Sequence, residues 1–263
     1  MTERTISADQ PNIEYHPGTE DLSFAVFKVF AQATADLTRR FGYSNEEPGE
    51  PDPDDAQWRL RRPLFEHLAR TAEHFWIAYQ DGKPAGYARS VLRDGLLDLT
   101  EFFVLPGRQS SGIGRELLRR AFPREGARYR ALVATSDLRA LARYLKAGVY
   151  ARFPIYNFSR TPRLLEAPSG LEARPATSRP EDLQAMDELD RAVAGHARTL
   201  YHIFWLSERP AFLYLRDGLV VGYGYAHRDR GPFALLDARD YPAVLAHAER
   251  EAAALGVDRI HLE

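Results

Sequence analysis

The two halves of this 263-residue chain repeat each other, and this limits the folds open to the chain more than any other feature. Residues 13–22 return at 171–183 as a short strand pattern, a proline turn and an acidic helix start, with three residues inserted. Residues 81–87 return at 217–223 with identical spacing, each copy placing Asp-Gly between apolar runs. Such a pair is typical of a β-hairpin. Two matches in the same order predict two copies of one unit.

The boundary between the copies is predicted within residues 159–180, where four prolines interrupt every pattern. We therefore expect a first domain over residues 1–165 and a second over 166–263. The length is sufficient for two domains that each bury a core.

Helical and strand patterns alternate in the first copy, which predicts an α/β fold with a mixed sheet. Apolar residues at helical spacing mark a helix from Leu22 to Leu37. The next predicted elements are a helix at 55–72, strands at 75–79, 85–92 and 96–105, a helix at 112–122, a strand at 129–135, a helix at 137–147 and a last strand at 152–159. Six acids and three prolines in 44–56 predict a solvated loop.

Composition excludes several classes of function. The absence of cysteine excludes disulfides, thiolate zinc sites, iron–sulfur clusters and a cysteine nucleophile. A net charge of −2 argues against a dedicated nucleic-acid or anionic-membrane binder. The chain has no signal-peptide pattern and no long apolar run, so we predict a cytoplasmic protein. No metal site is predicted, because His67 and His74 lack a third ligand.

The segment 104–118 carries the most specific chemical signal. An apolar strand pattern runs into a loop with Gly112 and Gly114, and a helix begins at once. Glycines let backbone N–H groups approach an anion closely, and the helix N-terminus adds its positive end. Arg108 and Arg115 add charge. The loop is a candidate phosphate site, although it matches neither a P-loop nor a dinucleotide turn, and an ordinary strand-to-helix turn is the alternative.

The segment resembles a motif of the GNAT superfamily of acyl-CoA-dependent N-acyltransferases. In that family a strand ending in Val-x-Pro is followed by Gln/Arg-x-x-Gly-x-Gly/Ala, and these places are filled by Val104, Pro106, Gln109, Gly112 and Gly114. A second family pattern, Asn-x-x-Ala-x-x-x-Tyr-x-x-x-Gly-Phe, is met by Ala140, Tyr144 and Gly148, with Asp137 and Val149 in place of Asn and Phe. The resemblance covers about residues 13–160 and, more faintly, the second half.

The resemblance implies a GNAT fold in the first domain, an incomplete GNAT-like fold in the second, and acetyl-CoA as co-substrate. The pyrophosphate would bind the loop, and backbone groups of the preceding strand would meet the pantetheine amides where two strands splay apart. The implied cofactor-binding residues are Phe103, Val104, Leu105, Gln109, Ser110, Ser111, Gly112, Ile113, Gly114 and Arg115. The implied reaction is acetyl transfer to a primary amine of a small-molecule or peptide acceptor. A non-catalytic acyl-CoA sensor is the alternative.

Without a cysteine, direct transfer in a ternary complex is favoured over an acyl-enzyme. A lysine-like amine has a pKa near about 10.4, so a base must remove its proton. Glu101 is the predicted base, with Asp98 as the fallback. Strict alternation would place Glu101 on one strand face with Leu99 and Phe103, unless a bulge turns it away.

Tyr144 is the predicted acid, whose hydroxyl would hydrogen-bond the thioester sulfur and protonate the leaving thiolate. Helical spacing also allows Tyr144 a purely structural place in the core beside Leu141 and Leu145. In the family the region between the first two helices borders the acceptor site, so the acidic loop 46–55 would attract a cationic acceptor, or else remain a solvated loop.

The corresponding loop of the second copy, residues 235–244, has lost these features. No Gly-x-Gly remains, Pro242 has no N–H, and Asp237 and Asp240 would repel a pyrophosphate. The family's next helix and final strands have no residues here, so we expect either a naturally shortened second domain or a sequence that is itself truncated. We expect it to bind no acyl-CoA and to buttress the first domain. Its open sheet edge would be covered by the first domain or by a second subunit in a homodimer.

Overall fold

The computed structural model describes residues 12–42, 55–109, 111–164, 170–227 and 231–262. The chain divides into two compact units between Tyr150 and Ala151. Among the described residues, no helix combines the length and the apolar character that crossing a bilayer requires. The acidic loop predicted at 44–56 falls largely outside the described residues.

The first unit is a five-stranded mixed sheet with helices on both faces, and the predicted mixed α/β fold is confirmed. Its strands lie in the order β1-β2-β3-β4-β5, and all neighbours are antiparallel except the parallel pair β4–β5. Its elements are β1 (Ile13–Pro17), α1 (Ser23–Arg40), α2 (Asp55–Thr71), β2 (His74–Gln80), β3 (Lys83–Arg93), β4 (Leu96–Val104), α3 (Ile113–Ala121), β5 (Tyr129–Leu132) and α4 (Leu138–Lys146).

Alternation along the strands divides the core of the first unit into two layers. Ile77 and Tyr87 pack under α1 and α2 together with Phe27. Ala78 and Ala88, their neighbours along the same strands, pack under α3 on the opposite face. Each face therefore buries one set of apolar side chains, which is what fixes the register of the sheet.

A bulge in β4 controls where its side chains point. Two neighbouring residues of β3 pair with Leu99 and Glu101, so that Thr100 between them has no partner. Leu99 packs on the α3 face, whereas Phe103 packs on the α1–α2 face, where Glu101 also lies. The prediction that Glu101 shares a face with Leu99 and Phe103 is therefore wrong for Leu99. The extra residue reverses the alternation beyond it.

The parallel pair β4–β5 is short. Pairing runs from Leu96 to Leu99 on β4, and β5 ends at Leu132 rather than at Thr135 as predicted. Beyond this point β4 continues to Val104, and no described strand pairs with it on that side. A gap opens between β4 and the chain that follows β5.

The second unit repeats the order of the first four strands of the first unit. Its sheet has the order β10-β9-β8-β7, and a separate antiparallel pair joins β6 and β11. Its elements are β6 (Phe158–Arg160), β7 (Glu172–Pro175), α5 (Pro180–Ala194), α6 (Thr199–Glu208), β8 (Ala211–Arg216), β9 (Leu219–Tyr225), β10 (Phe233–Leu235), α7 (Tyr241–Ala254) and β11 (Ile260–Leu262). Of the strand predicted at 152–159 to complete the first copy, only the last two residues are strand. They belong to β6, which pairs with β11 inside the second unit.

The repeat is also visible in the backbone of the two Asp-Gly turns. Asp81 and Gly82 have φ of 52° and 74°, and Asp217 and Gly218 have φ of 51° and 78°. Positive φ at both central residues defines the type I′ turn of a two-residue hairpin. Each hairpin carries a register shift two residues before its turn. The two copies therefore share fine backbone geometry as well as strand order.

Candidate active site

A cavity of about 210 Å³ occupies the gap between β4 and the chain after β5. One wall is the unpaired side of β4, from Leu99 to Val104, and another is formed by residues 132–135. The C-terminal half of α1, the first turns of α4, and Gln109 and Gly114 complete the lining. Main-chain groups and side chains of several elements thus converge on one space.

The N-terminus of α3 opens beside this cavity. Gly112 precedes the helix with φ of 91°, and among the described residues no side chain caps the first turn. A Cβ atom on Gly112 would meet no heavy atom within 4 Å, so the loop is open in front of its backbone. An uncapped helix start carries partial positive charge and free donors, which suit an anion.

Two arginines of α4 add charge to the same cavity. Arg139 and Arg143 both line it, and Arg139 Nη1 donates to Gln109 Oε1 at 3.0 Å. Arg143 Nε lies 3.6 Å from the position a Cβ would take on Gly114. The sequence prediction missed both arginines. Their spacing of four residues, which stacks side chains on one helix face, was the available signal.

Of the predicted cofactor residues, four line the cavity: Phe103, Val104, Gln109 and Gly114. Ile113 is buried in the core, and Arg115 is exposed on the first turn of α3. Ser111 Oγ donates to the Arg108 carbonyl oxygen at 2.7 Å, which shapes the loop. Ser110 lies outside the described residues.

Leu105 differs from the prediction. Its N–H donates to the carbonyl oxygen of Ala85 at 2.9 Å, and its own carbonyl accepts from the N–H of Arg108 at 3.1 Å. Both backbone groups are thus engaged within the protein, because β3 continues to pair with the chain beyond β4. Arg108 also lies away from the cavity, on the wall of a separate groove.

Glu101 lines the cavity and is held by a buried network. Arg89, which is completely buried, donates from Nε to Glu101 Oε2 at 2.5 Å. The Tyr87 hydroxyl donates to Oε1 at 3.1 Å, and burial, followed by the Glu101 charge, raises the pKa of Tyr87. A second arm of Arg89 donates to the Phe65 carbonyl oxygen at 2.8 Å. The Glu101 carboxylate therefore has one fixed orientation at the cavity wall.

The role of Arg89 was not anticipated from the sequence, because a charged residue within an apolar strand pattern is normally expected to face solvent. Its guanidinium lies about 5 Å from the ring centres of three aromatic residues, Phe65 (5.0 Å), Phe75 (5.0 Å) and Tyr87 (5.5 Å). Aromatic faces attract a desolvated cation. Together with Glu101 they make a completely buried arginine tolerable.

Tyr144 combines both roles considered for it. Its ring packs edge-on against Phe102 at 6.1 Å, at the border of the core, and it also lines the cavity. Within the described part of the chain its hydroxyl forms no hydrogen bond. Burial, and then the Asp137 charge, raises the pKa of Tyr144 to about 12. The hydroxyl is therefore protonated at neutral pH and free to donate.

Asp137, which stands in place of the Asn of the family pattern, lies at the N-terminus of α4. Its Oδ1 accepts the N–H groups of Arg139 and Ala140 at 2.8 and 3.2 Å, so it caps α4. Burial alone would raise the pKa of Asp137, but a 2.6 Å hydrogen bond from Arg40 and the two backbone N–H groups outweigh it and lower the pKa. The carboxylate stays ionised at the cavity rim.

The helix start of the second unit that corresponds to α3 is α7, and acidic side chains occupy its approach. Asp237 Oδ1 accepts the N–H of Arg239 at 2.9 Å, and Asp240 pairs with Arg216 at 2.5 Å. Pro242 lies in the first turn of α7. The backbone donors that are free at the start of α3 are thus occupied or absent at the start of α7, and the two carboxylates oppose the positive potential there.

Asp187, Asp190 and His202 of the second unit bring potential metal-ligand atoms within 4.8 Å of one another. Asp190 already accepts from Arg198 at 2.7 Å, from His202 at 2.8 Å and from the Tyr223 hydroxyl at 2.6 Å. Burial would raise the pKa of Asp190, but these donors, Arg198 first, lower it. A metal would have to displace a paired arginine, so the geometry is that of a buried polar network.

Residues 34–149 match the model of the acetyltransferase (GNAT) family. The match includes every residue that lines the cavity except Ala33, and it identifies this segment as a GNAT acetyltransferase domain. Members of this family use acetyl-CoA or CoA. No curated protein sequence is significantly similar to the chain.

Solved structures with the same fold span the whole chain. A putative acetyltransferase from Pyrococcus horikoshii is 16% identical with a TM-score of 0.64, and the match covers 99% of this chain and 82% of that one. A GCN5-related N-acetyltransferase from Sphaerobacter thermophilus is 19% identical with a TM-score of 0.59, over 95% of this chain and 85% of the other. At these identities the similarity shows the fold, and it confirms the GNAT fold predicted from the two motifs.

Proposed function

We propose that the first unit transfers an acetyl group from acetyl-CoA to a primary amine by direct attack in a ternary complex. The observation that carries this proposal is the juxtaposition of three features. The open gap beside the unpaired edge of β4 and the protonated Tyr144 share one cavity, and the first turn of α3, which follows Gly112, reaches the same cavity through Gly114. The chain has no cysteine, which favours direct attack over an acyl-enzyme.

Acetyl-CoA supplies the activated acyl group and a thiolate leaving group. The residues present fit its two ends. The N–H groups after Gly112, with Arg115, Arg139 and Arg143, would hold the pyrophosphate, since an anion there gains backbone donors and positive charge. The edge of β4 at Phe103 and Val104 would hold the pantetheine arm in the gap left by β5.

Glu101 is the proposed base. Its carboxylate is on the cavity wall, and Arg89 and Tyr87 hold it in one orientation. A fixed acceptor reduces the entropic cost of aligning the amine for attack. From this position Glu101 would attract the ammonium group of the acceptor first and then accept its proton, directly or through water.

Tyr144 is proposed to act mainly as a hydrogen-bond donor. Its pKa of about 12 exceeds that of an ordinary thiol, about 8.5, by roughly 3.5 units. Complete transfer of its proton to a thiolate is therefore uphill by about 5 kcal/mol. A donor held toward the sulfur can still stabilise the negative charge that develops there. This modifies the sequence-based role of full proton donor.

The second unit is proposed to bind no acyl-CoA and to support the first unit structurally or in shaping the acceptor site. The supporting observation is the contrast between the two helix starts, uncapped at α3 and surrounded by Asp237, Asp240 and Pro242 at α7. The acceptor is proposed to be a small-molecule or peptide amine.

The test is the release of free CoA thiol from acetyl-CoA across a panel of small diamines, aminosugars, amino acids and peptides. Because the chain has no cysteine, a thiol reagent reports CoA alone, without background from the protein. We expect amine-dependent release that falls strongly in Tyr144→Phe. CoA binding without release for any amine would favour the acyl-CoA sensor instead.

A further inference from the structure

A second, larger groove lies on the first unit, apart from the cavity at β4 and β5. Its volume is about 870 Å³, within the range of roughly 300–1,000 Å³ typical of small-molecule sites. None of its lining residues lines the first cavity. One wall is a face of α1 from Ala25 to Arg39, and the other combines the turn between β2 and β3 with the loop that follows β4.

The lining is strongly basic. Lys28, Lys83 and Arg108 are exposed and form no ion pair within the described part of the chain. The one acid of the lining, Asp36, is already engaged by Arg39 at 2.8 Å and by Arg40 at 2.8 Å. Unneutralised cations on facing walls create a positive potential that attracts anions.

Lysine is rare in this chain, which makes its placement informative. The sequence contains only three lysines among 35 basic residues, and two of them line this groove. The third, Lys146, lies on α4 and is not part of the lining. An ammonium group is a compact charge that contacts a phosphate without the planar constraint of arginine.

Gln80 supplies an independent indication of a ligand. The residue lines the groove and is only 7% exposed, and its Oε1 atom has no hydrogen-bond partner among the residues that the structure describes. Buried polar atoms are nearly always paired, so an unpaired one marks a place where a partner binds. Oε1 is an acceptor, which calls for a hydroxyl or N–H donor on the ligand.

The wall between the cations is apolar, with Val29, Pro84, Ala85 and Leu105 among its residues. The α1 face from Ala25 to Arg39 spans about 21 Å at roughly 1.5 Å per residue, longer than a single phosphate requires. We infer that this groove binds a small organic phosphate that carries at least two phosphate groups and a hydroxyl. Lys28, Lys83 and Arg108 pair with the phosphates, and Gln80 accepts from the hydroxyl.

The experiment is calorimetric titration of the full chain, saturated with CoA, with fructose 1,6-bisphosphate and separately with inorganic pyrophosphate. Saturating CoA fills the β4–β5 site, so remaining binding reports the groove, and the readout does not depend on acetyl transfer. The double variant Lys28→Ser/Lys83→Ser should weaken both ligands by about tenfold or more, because it removes two charged contacts. Lys146→Ser, the matched loss of a lysine, should leave both affinities unchanged.

Gln80→Met keeps the side-chain length but removes the acceptor. It should weaken fructose 1,6-bisphosphate severalfold and leave pyrophosphate unchanged. The inference is overturned if neither ligand binds the CoA-saturated chain, or if Lys146→Ser weakens binding as much as the double variant. An equal effect of Gln80→Met on both ligands would overturn the hydroxyl contact. All the substituted lysines are exposed, so these variants are expected to fold.

Discussion

Substitution of Gly112 by alanine separates cofactor binding from stability. Gly112 has φ of 91°, a conformation that costs an L-residue about 1–2 kcal/mol. The new Cβ would meet no protein atom within 4 Å, so no clash adds to this cost. Since 1 kcal/mol corresponds to about 2–4 °C for a domain of this size, we expect the melting temperature to fall by roughly 2–8 °C. The protein should remain folded at 25 °C.

Binding of CoA should suffer much more than folding. The Cβ would project into the open space where the phosphate must approach the helix start, and loss of even one hydrogen bond to a charged group costs about 1.5–3 kcal/mol. The expected loss of CoA affinity is therefore about 10- to 100-fold. Isothermal titration of the full chain with CoA measures it.

Gly126 provides a matched control. It has φ of 86°, its Cβ would also meet nothing within 4 Å, and it lies beyond the opposite end of α3. Gly126→Ala should lower the melting temperature as much as Gly112→Ala and leave CoA affinity unchanged. Equal CoA affinity in the two folded variants would refute the reasoning, whether both are normal or both are weakened.

Three further substitutions test single polar side chains, two in the first unit and one in the second. Tyr144→Phe should lower kcat about 10²–10³-fold, which is the usual effect of removing a hydrogen-bond donor to a developing anion. CoA affinity and stability should be nearly unchanged, because the hydroxyl has no partner in the described chain. Full activity of the variant would exclude the donor role. Glu101→Gln should lower the rate most at low pH, where the amine is most protonated. It should also destabilise the first unit by about 3–5 kcal/mol, because Arg89 loses its counter-charge. A pH–rate profile parallel to that of the unsubstituted enzyme would contradict the assignment of Glu101 as the base. In the second unit, burial would raise the pKa of Asp182, but hydrogen bonds from Arg174 and Thr177 outweigh it and lower the pKa to about 2. The carboxylate therefore stabilises the folded unit by about 2–3 kcal/mol above its unfolded pKa of about 3.9, and this stabilisation is lost as the pH falls toward 2. Asp182→Asn should reduce the dependence of stability on pH in this range, and an unchanged dependence would rule the contribution out.

Local patterns in the sequence predict the helices and strands of the first unit well. The predicted helix at 55–72 is observed as Asp55–Thr71, and the predicted strand at 96–105 as Leu96–Val104. The Asp-Gly repeats predict two hairpins because their residue types match the φ values that a type I′ turn demands. Glycine spacing similarly predicts the open helix start at α3.

Features that depend on contacts between distant elements could not be read from the sequence. The bulge at Thr100 changes which side chains share a face with Glu101, and no local pattern marks it. Arg89 belongs to the site through a strand pair that joins it to Glu101. The pairing of β6 with β11 connects residues about 100 positions apart. Helix α6, of sequence Thr-Leu-Tyr-His-Ile-Phe-Trp-Leu-Ser-Glu, carries apolar residues around much of its circumference and therefore lacks a helical period.

The central claim is that acetyl-CoA binds once per chain, in the gap where β4 and β5 part. A crystal structure of the full chain with CoA tests it most directly. We predict one CoA, with its pyrophosphate at Gly112 to Gly114, its pantetheine along Phe103 and Val104, and its sulfur within reach of the Tyr144 hydroxyl. A CoA bound at Asp237 to Ala243, or a cavity between β4 and β5 left empty at saturating CoA, would contradict the account.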